Sequence, residues 1–247
     1  MNKTVIIIPS RLDAQRFPNK PLELINNKEM ISHVYEAAVK SKAGKVIVAT
    51  PDQKIIDVIS KFGGNVIKTY ENHETGTDRI FEVFSGTLKG EPEIIINLQG
   101  DMPNIDPKDI SNLVLYMKEK KCDMATLASN FKDNSELENP NIVKVETKEN
   151  LSQGTFIKAL DFFRINKKSI GNLYHHVGIY AFTKQALVKY VNLQRSKLEI
   201  ERKLEQLRAL ENDISIHVGF VNSSPLSVDT RQDLIDVQNL MSKNEKN

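Results

Sequence analysis

Near its start the chain carries an unbroken β-branched run, Val5-Ile6-Ile7-Ile8, stopped by Pro9, and this run constrains what can follow. Such a run reads as a strand buried on both faces, which places it in the parallel sheet of an α/β domain. The next segment, Ser10-Arg11-Leu12-Asp13-Ala14-Gln15-Arg16-Phe17-Pro18-Asn19-Lys20-Pro21-Leu22, is too polar and too punctuated by proline for core. It brings the cations Arg11, Arg16 and Lys20 into one loop. In open α/β sheets ligands sit beyond the carboxyl ends of the strands, where this loop lies. Guanidinium forks grip phosphate oxygens and an ammonium adds point charge, so the loop suits a polyanion; a solvated basic loop is the plainer alternative. No Gly-Lys-Ser/Thr closes the loop and no G-x-G-x-x-G follows the strand, so the grip comes from side chains more than from a glycine cradle.

At 247 residues the chain is long enough for one large α/β domain without disulfide or metal staples. A formal net charge of +2 gives no molecule-wide basic field, so attraction for anions is local and nucleic acid is not an expected partner. The single cysteine, Cys122, cannot close an intrachain disulfide, and no charged-then-apolar leader precedes the first strand; both point to the cytoplasm. No apolar run nears the roughly twenty residues that span a bilayer, so no membrane partner is expected.

Apolar spacing predicts a helix over 30–41, a strand over 45–50, a helix over 52–62 and a short strand over 65–69, a βαβαβ rhythm with right-handed crossovers. Asn72 to Arg79 lies between that strand and the next helix, with Thr75, Gly76 and Thr77 where backbone N–H groups can point at a ligand; an N-cap role for Thr75 or Thr77 is the alternative. The strand 93–98 runs into Gln99-Gly100-Asp101, and a carboxylate at a central strand tip opposite a cationic loop is where a divalent metal shared with phosphates would sit. Capping of the turn before Pro107 is the alternative for Asp101. A helix ending near Lys121, a strand over 123–128, strand candidates at 141–146 and 178–182 and an irregular 148–172 follow. A single helix over 196–210, a strand over 214–220 and a last helix capped by Asp229 or Thr230 complete the chain. The part after Asn139 reads as a smaller mixed region over the sheet's carboxyl edge. For His175 and His176 hydrogen bonding to a polyol or carboxylate and a satisfied structural role both stand.

Four stretches in order resemble the 3-deoxy-manno-octulosonate (KDO) cytidylyltransferases, or CMP-KDO synthetases. They are Ile8-Pro9-Ser10-Arg11 with Arg16 to Leu22, Thr75-Gly76-Thr77-Asp78-Arg79, Asn97-Leu98-Gln99-Gly100-Asp101, and Val228-Asp229-Thr230. Weaker matches at 124–128, 139–145, 176–180 and 204–208 fill the gaps. The resemblance implies an α/β nucleotide-diphospho-sugar transferase-like three-layer sandwich with a mostly parallel sheet and a smaller mixed sugar-binding and dimerisation region. It implies a single domain over 1–247, with a nucleotide-binding part at 1–130, a sugar and dimer part at 131–220, and a return strand and C-terminal helix at 221–247. The implied reaction joins CTP to KDO or a related ulosonic acid, giving CMP-sugar and pyrophosphate for lipopolysaccharide or capsule synthesis, in a homodimer. By the same resemblance Arg11, Arg16 and Lys20 hold the triphosphate, and Arg11, Lys20, Asp101 and Asp229 form the catalytic set. Pro9, Ser10, Thr75, Gly76, Thr77, Arg79 and Gln99 line the nucleotide. Asp101 and Asp229 hold Mg²⁺. Gln99, Lys158, His176, Tyr180, Glu205 and Gln206 look to the sugar.

Three departures touch the sugar side. Met102 stands where the family has Glu, Ile157 and Lys158 stand where it has Ser and Arg, and His175 replaces the Arg before His176. Lysine does not reproduce a bidentate arginine contact. The asymmetry predicts a CTP-dependent enzyme that prefers a relative of KDO, such as an amino-substituted octulosonate. A nucleotidyltransferase for another acidic sugar, or a catalytically retired binding relative, are the competing readings.

Overall fold

The structure, a computed structural model, describes residues 3–13, 17–119, 122–165 and 170–244. The chain divides into two compact units, 1–111 with 225–247, and 112–224. The first division falls inside a helix, α4 (Pro107–Glu119), rather than after residue 130.

In unit 1 the strands β1 (Thr4–Pro9), β4 (Lys45–Thr50), β5 (Val66–Lys68) and β6 (Ile94–Leu98) lie in the order β5-β4-β1-β6, and β1 runs parallel to both β4 and β6. Ile6, Ile7, Ile8, Val48, Ile95 and Ile96 are fully buried, as a sheet covered on both faces requires. Helices α1 (Met30–Lys40), α2 (Gln53–Lys61) and α3 (Gly76–Glu82) provide the connections, matching the alternating pattern read from the sequence. Because the strands are parallel, Pro9, Thr50 and Leu98 end on one edge, and the loops that carry the candidate residues start there.

The sequence reading misses a two-residue hairpin, β2 (Leu24–Ile25) with β3 (Lys28–Glu29). Its turn residues Asn26 and Asn27 both have positive φ, 48° and 63°, the conformation of a type I′ turn that asparagine tolerates. A second apolar cluster joins this hairpin to the C-terminal helix α9 (Arg231–Asn244): Phe17, Ile25, Met30, Val228, Leu234 and Val237 are buried together. No return strand occurs in 221–230; a hydrogen bond from Val228 N to Asp101 O (2.9 Å) holds that stretch instead.

Unit 2 is a mixed sheet in the order β10-β7-β11-β9-β8. It comprises β7 (Met124–Ser129), β8 (Lys144–Thr147), β9 (Phe156–Phe163), β10 (Asn172–Thr183) and β11 (Ile216–Phe220), with only β7 and β11 pairing parallel. Helices α5 (Asn134–Glu138) and α6 (Lys184–Val191) belong to the same unit. The 148–172 stretch, expected to be irregular, contains all of β9. The 178–182 strand is really a twelve-residue strand with a bulge between Val177 and Tyr180. The expected helix over 196–210 is two short ones, α7 (Lys197–Arg202) and α8 (Leu207–Leu210), because Lys203 turns left-handed at φ 55°.

Candidate active site

The cationic loop is pinned at both ends. Ser10 N bonds to Ala49 O (2.9 Å), Leu12 N to the Asp52 carboxylate (2.9 Å) and Asn19 N back to Leu12 O (3.0 Å). Phe17 enters the cluster with Val228, and Arg231 stacks over its ring at 5.5 Å. A short 3₁₀ turn, Lys20–Leu22, then aims Lys20 inward. Arg16 lies outside the described residues.

The Lys20 ammonium meets the Asp101 carboxylate (3.1 Å), the Asp229 carboxylate (3.4 Å) and the Val228 carbonyl (2.6 Å). An ammonium has three N–H donors, and these acceptors fill them. Asp101 and Asp229, 128 positions apart in sequence, therefore share one cation. Each has a local reason for its place. Gly100 lets the β6 tip pass close to β1, since a Cβ there would stand 3.2 Å from Pro9 O and 3.3 Å from Ile31 Cδ1. Asp229 follows Val228, whose side chain is buried in the apolar cluster while its backbone N–H holds Asp101 O. Leu226 N bonds to Asn104 Oδ1 (2.9 Å) and secures the approach. Thr230, rather than Asp229, caps α9 in a capping box with Asp233.

A cleft of about 240 Å³ opens beside this group, lined by Pro9, Ser10, Arg11, Lys20, Gln99 and Asp101, and on its other wall by His73, Glu74, Thr75, Gly76 and Arg79. Ser10 Oγ is buried with no hydrogen-bond partner among the described residues, an unmet donor that a ligand oxygen would satisfy. Gly76 makes the wall tight, since a Cβ there would sit 3.2 Å from Pro9 Cγ and 3.6 Å from Gln99 Nε2. Of the two N-cap candidates it is Thr75 that caps α3, in a capping box with Asp78. Thr77 is not on the wall: it is buried and accepts from Asn97 Nδ2 (3.1 Å), and Asn97 Oδ1 in turn accepts from Gln99 Nε2 (3.3 Å), so Thr77 steadies Gln99 from behind. Arg79 is also buried and ties the loop to α3 by donating to Thr69 Oγ1, Tyr70 O and Glu71 O. Burial, and then the Arg11 charge beside it, hold its pKa below the ordinary arginine value. His73 and Glu74 fall in the stretch singled out from the sequence but receive no role there, because neither spacing nor charge marks them.

Two carboxylates gathered on one cation are hard oxygen donors that suit Mg²⁺, which is commonly bound by one or two carboxylates plus substrate phosphates and water. Among the described residues no group of three or more His, Cys, Asp or Glu is placed to hold a metal.

The residues expected on the sugar side lie in unit 2. His176 is buried, and Thr126 Oγ1 sits 2.9 Å from its Nε2. The Thr126 hydroxyl donates to Ile179 O (2.7 Å), so His176 Nε2–H donates to Thr126. Burial pushes the His176 pKa down to about 3, with His175 and Arg164 adding to the effect, and the ring stays neutral. His176 packs against Tyr180 at 5.4 Å, and burial followed by the Glu205 charge raises the Tyr180 hydroxyl far above the usual range. His176 and Tyr180 are thus neighbours, the Glu205 charge acts on Tyr180, and Gln206 is buried at the start of α8. Lys158 is exposed on β9, opposite His217 of β11. Of the departures, Met102 is core rather than wall, Ile157 pairs with Val218, and His175 sits 3.2 Å from the Glu136 carboxylate.

Residues 5–216 match the family model described as Cytidylyltransferase. A 3-deoxy-manno-octulosonate cytidylyltransferase of Brucella anthropi is 41% identical over 234 residues, 94% of each chain. Its counterpart in Brucella ovis is 41% identical over 94% of this chain and 93% of its own. Among solved structures, CMP:2-keto-3-deoxy-manno-octonic acid synthetase complexed with CTP is similar with a TM-score of 0.87 at 38% identity, over 98% of this chain and 99% of that one. A 4-diphosphocytidyl-2C-methyl-D-erythritol synthase from Anaerococcus prevotii, 15% identical with a TM-score of 0.65 over 97% and 98%, shares the α/β nucleotidyltransferase fold.

Proposed function

The chain belongs to the 3-deoxy-manno-octulosonate cytidylyltransferase family of nucleotidyltransferases, and from that premise we propose that it joins CTP to KDO, forming CMP-KDO and pyrophosphate for lipopolysaccharide or capsule synthesis. The observation that carries the reading is the meeting of Asp101 and Asp229 on the Lys20 ammonium beside a cleft walled by Arg11 and Ser10.

In this reading the sugar's anomeric oxygen attacks the α-phosphorus and the bond from that phosphorus to the β-phosphate bridging oxygen breaks. Such transfers need little covalent help; alignment and charge neutralisation dominate. Arg11 presents a guanidinium fork to the phosphates, and the unmatched Ser10 hydroxyl donates to a phosphate or ribose oxygen. Lys20, whose three donors are committed in the free protein, exchanges at least one of its acceptors for a phosphate oxygen when nucleotide enters. Asp101 and Asp229 would hold Mg²⁺, which when bound neutralises phosphate charge and acidifies a hydroxyl it touches. EDTA should therefore abolish pyrophosphate release and Mg²⁺ restore it.

The finer proposals follow from family membership. They are a three-layer sandwich, a nucleotide part ahead of a sugar and dimer part, the sugar near His176, Tyr180, Glu205 and Gln206, a homodimer, and a cytoplasmic enzyme. No helix of the described residues is long and apolar enough to cross a membrane. The changes at Ile157, Lys158 and His175 all fall in unit 2, which supports preference for a modified octulosonate such as an 8-amino derivative. The test is pyrophosphate release with CTP, Mg²⁺ and a panel of ulosonic acids, the products identified by mass spectrometry. CMP-ulosonate and pyrophosphate in equal amounts are expected. Release with none of the panel would defeat the function, and a wide preference for KDO would defeat only the altered specificity.

A further inference from the structure

An aspartate at a helix N-cap ordinarily gives its carboxylate to the backbone N–H groups of its own first turn. Asp52 is the N-cap of α2 and does not. Its side chain makes no capping hydrogen bond, and Oδ2 accepts instead from Leu12 N at 2.9 Å, 40 positions back in the cationic loop. The helix start is secured without it, because Ile55 N and Ile56 N both reach the Asp52 carbonyl at 3.1 Å. Asp52 N in turn donates to Oγ1 of Thr50 (3.2 Å), the buried last residue of β4. The carboxylate therefore stands on a fixed mount at the carboxyl end of a buried strand, turned to the loop.

What it holds is the node of that loop. Both backbone polar groups of Leu12 are engaged, its N–H on Asp52 and its carbonyl by Asn19 N (3.0 Å), the residue before Lys20. Arg11 lies between two tied residues, Ser10 on Ala49 O and Leu12 on Asp52. Arg11 is exposed and lines the cleft, so the place of its backbone, not packing around its side chain, decides where its guanidinium can reach. We infer that Asp52 is a positioning residue for nucleotidyl transfer, which by holding Leu12 N sets the backbone from which Arg11 reaches the phosphates. A contact arranged before the ligand arrives spares the ordering cost that a loose loop carries into binding. The inference rests on the cytidylyltransferase reading and adds the group that aims its phosphate grip.

The test is a double-mutant cycle on kcat/KM for CTP, with Mg²⁺ and the ulosonic acid of the panel that the wild type uses best. It compares the wild type, Asp52→Ser, Asp52→Asn, Arg11→Ala, and Arg11→Ala combined with Asp52→Ser. Serine still caps α2, but its oxygen is one bond closer to the backbone and falls short of Leu12 N; asparagine keeps an acceptor at the same reach and drops the charge. Asp52→Ser should lower kcat/KM about tenfold, the scale of one charge-assisted hydrogen bond, and Asp52→Asn should stay within about threefold of the wild type. In the Arg11→Ala background Asp52→Ser should change little, because the residue it positions is gone. A loss of folded protein would instead appear equally in both backgrounds. An equal loss in both backgrounds, an unchanged kcat/KM in Asp52→Ser, or a loss in Asp52→Asn as large as in Asp52→Ser overturns the inference. A rise in both Asp52 variants also overturns it, since the carboxylate would then act only by repelling the triphosphate. A wild type that uses CTP with no ulosonic acid of the panel overturns instead the functional reading beneath it.

Discussion

Glu199 is 1% exposed and held by Arg208 through two hydrogen bonds (2.8 and 2.6 Å), with Arg195 at 3.1 Å. Burial alone would raise its pKa, but the two arginines and the Ser196 N–H outweigh it and the carboxyl titrates below its ordinary value. Its contribution to stability is therefore complete above the unfolded carboxyl pKa and is lost as pH falls through the lower folded value. Removing one partner leaves the other charge buried, so Glu199→Ala should lower urea stability by about 3–5 kcal/mol. Gly219 makes a second single-residue prediction. A Cβ there would stand 2.4 Å from the Phe156 ring, and that ring cannot retreat because it stacks on Tyr116 at 3.6 Å. Gly219→Ala should cost about 1–3 kcal/mol in a denaturant titration. At this scale the sequence was uneven: Lys20 and Asp101 were visible as a cation and a strand-tip carboxylate, whereas His73, which also lines the cleft, carried no mark of spacing or charge.

Within elements, the parallel strands of unit 1 were legible because each is an apolar run between turn signals. β9 was not, since Lys158 and Asp161 interrupt its apolar pattern and Leu160 is exposed. The break between α7 and α8 was equally hidden: it falls at Lys203, and no glycine or proline announces it. On β10, His176 gives a pH-dependent prediction. Its folded pKa near 3 lies below the unfolded value of 6.5, so between these limits the unfolded chain binds more protons and stability rises with pH. Acidifying below 6.5 should cost about 1.4 kcal/mol per pH unit from this residue. His176→Gln should flatten that slope in urea melts between pH 6.5 and 4.5.

Across the whole molecule, the fold class followed from the βαβαβ rhythm, but the meeting of Asp101 with Asp229 did not. No spacing rule links positions 128 residues apart; the family resemblance supplied the pair. The structure supplies the physical cause, in Val228 anchoring the chain among Phe17, Met30 and Leu234 and bonding back to Asp101. If the two aspartates act as one site, their losses should not add. The most direct test is a double-mutant cycle on kcat for CMP-KDO formation with Asp101→Asn, Asp229→Asn and the double variant, each checked for folding by circular dichroism. Each single change should cut turnover by about a hundredfold or more, the range seen when one charge-stabilising group is removed, with the double variant little worse than either. A single variant that keeps near wild-type turnover, or losses that multiply in the double variant, would contradict the shared site.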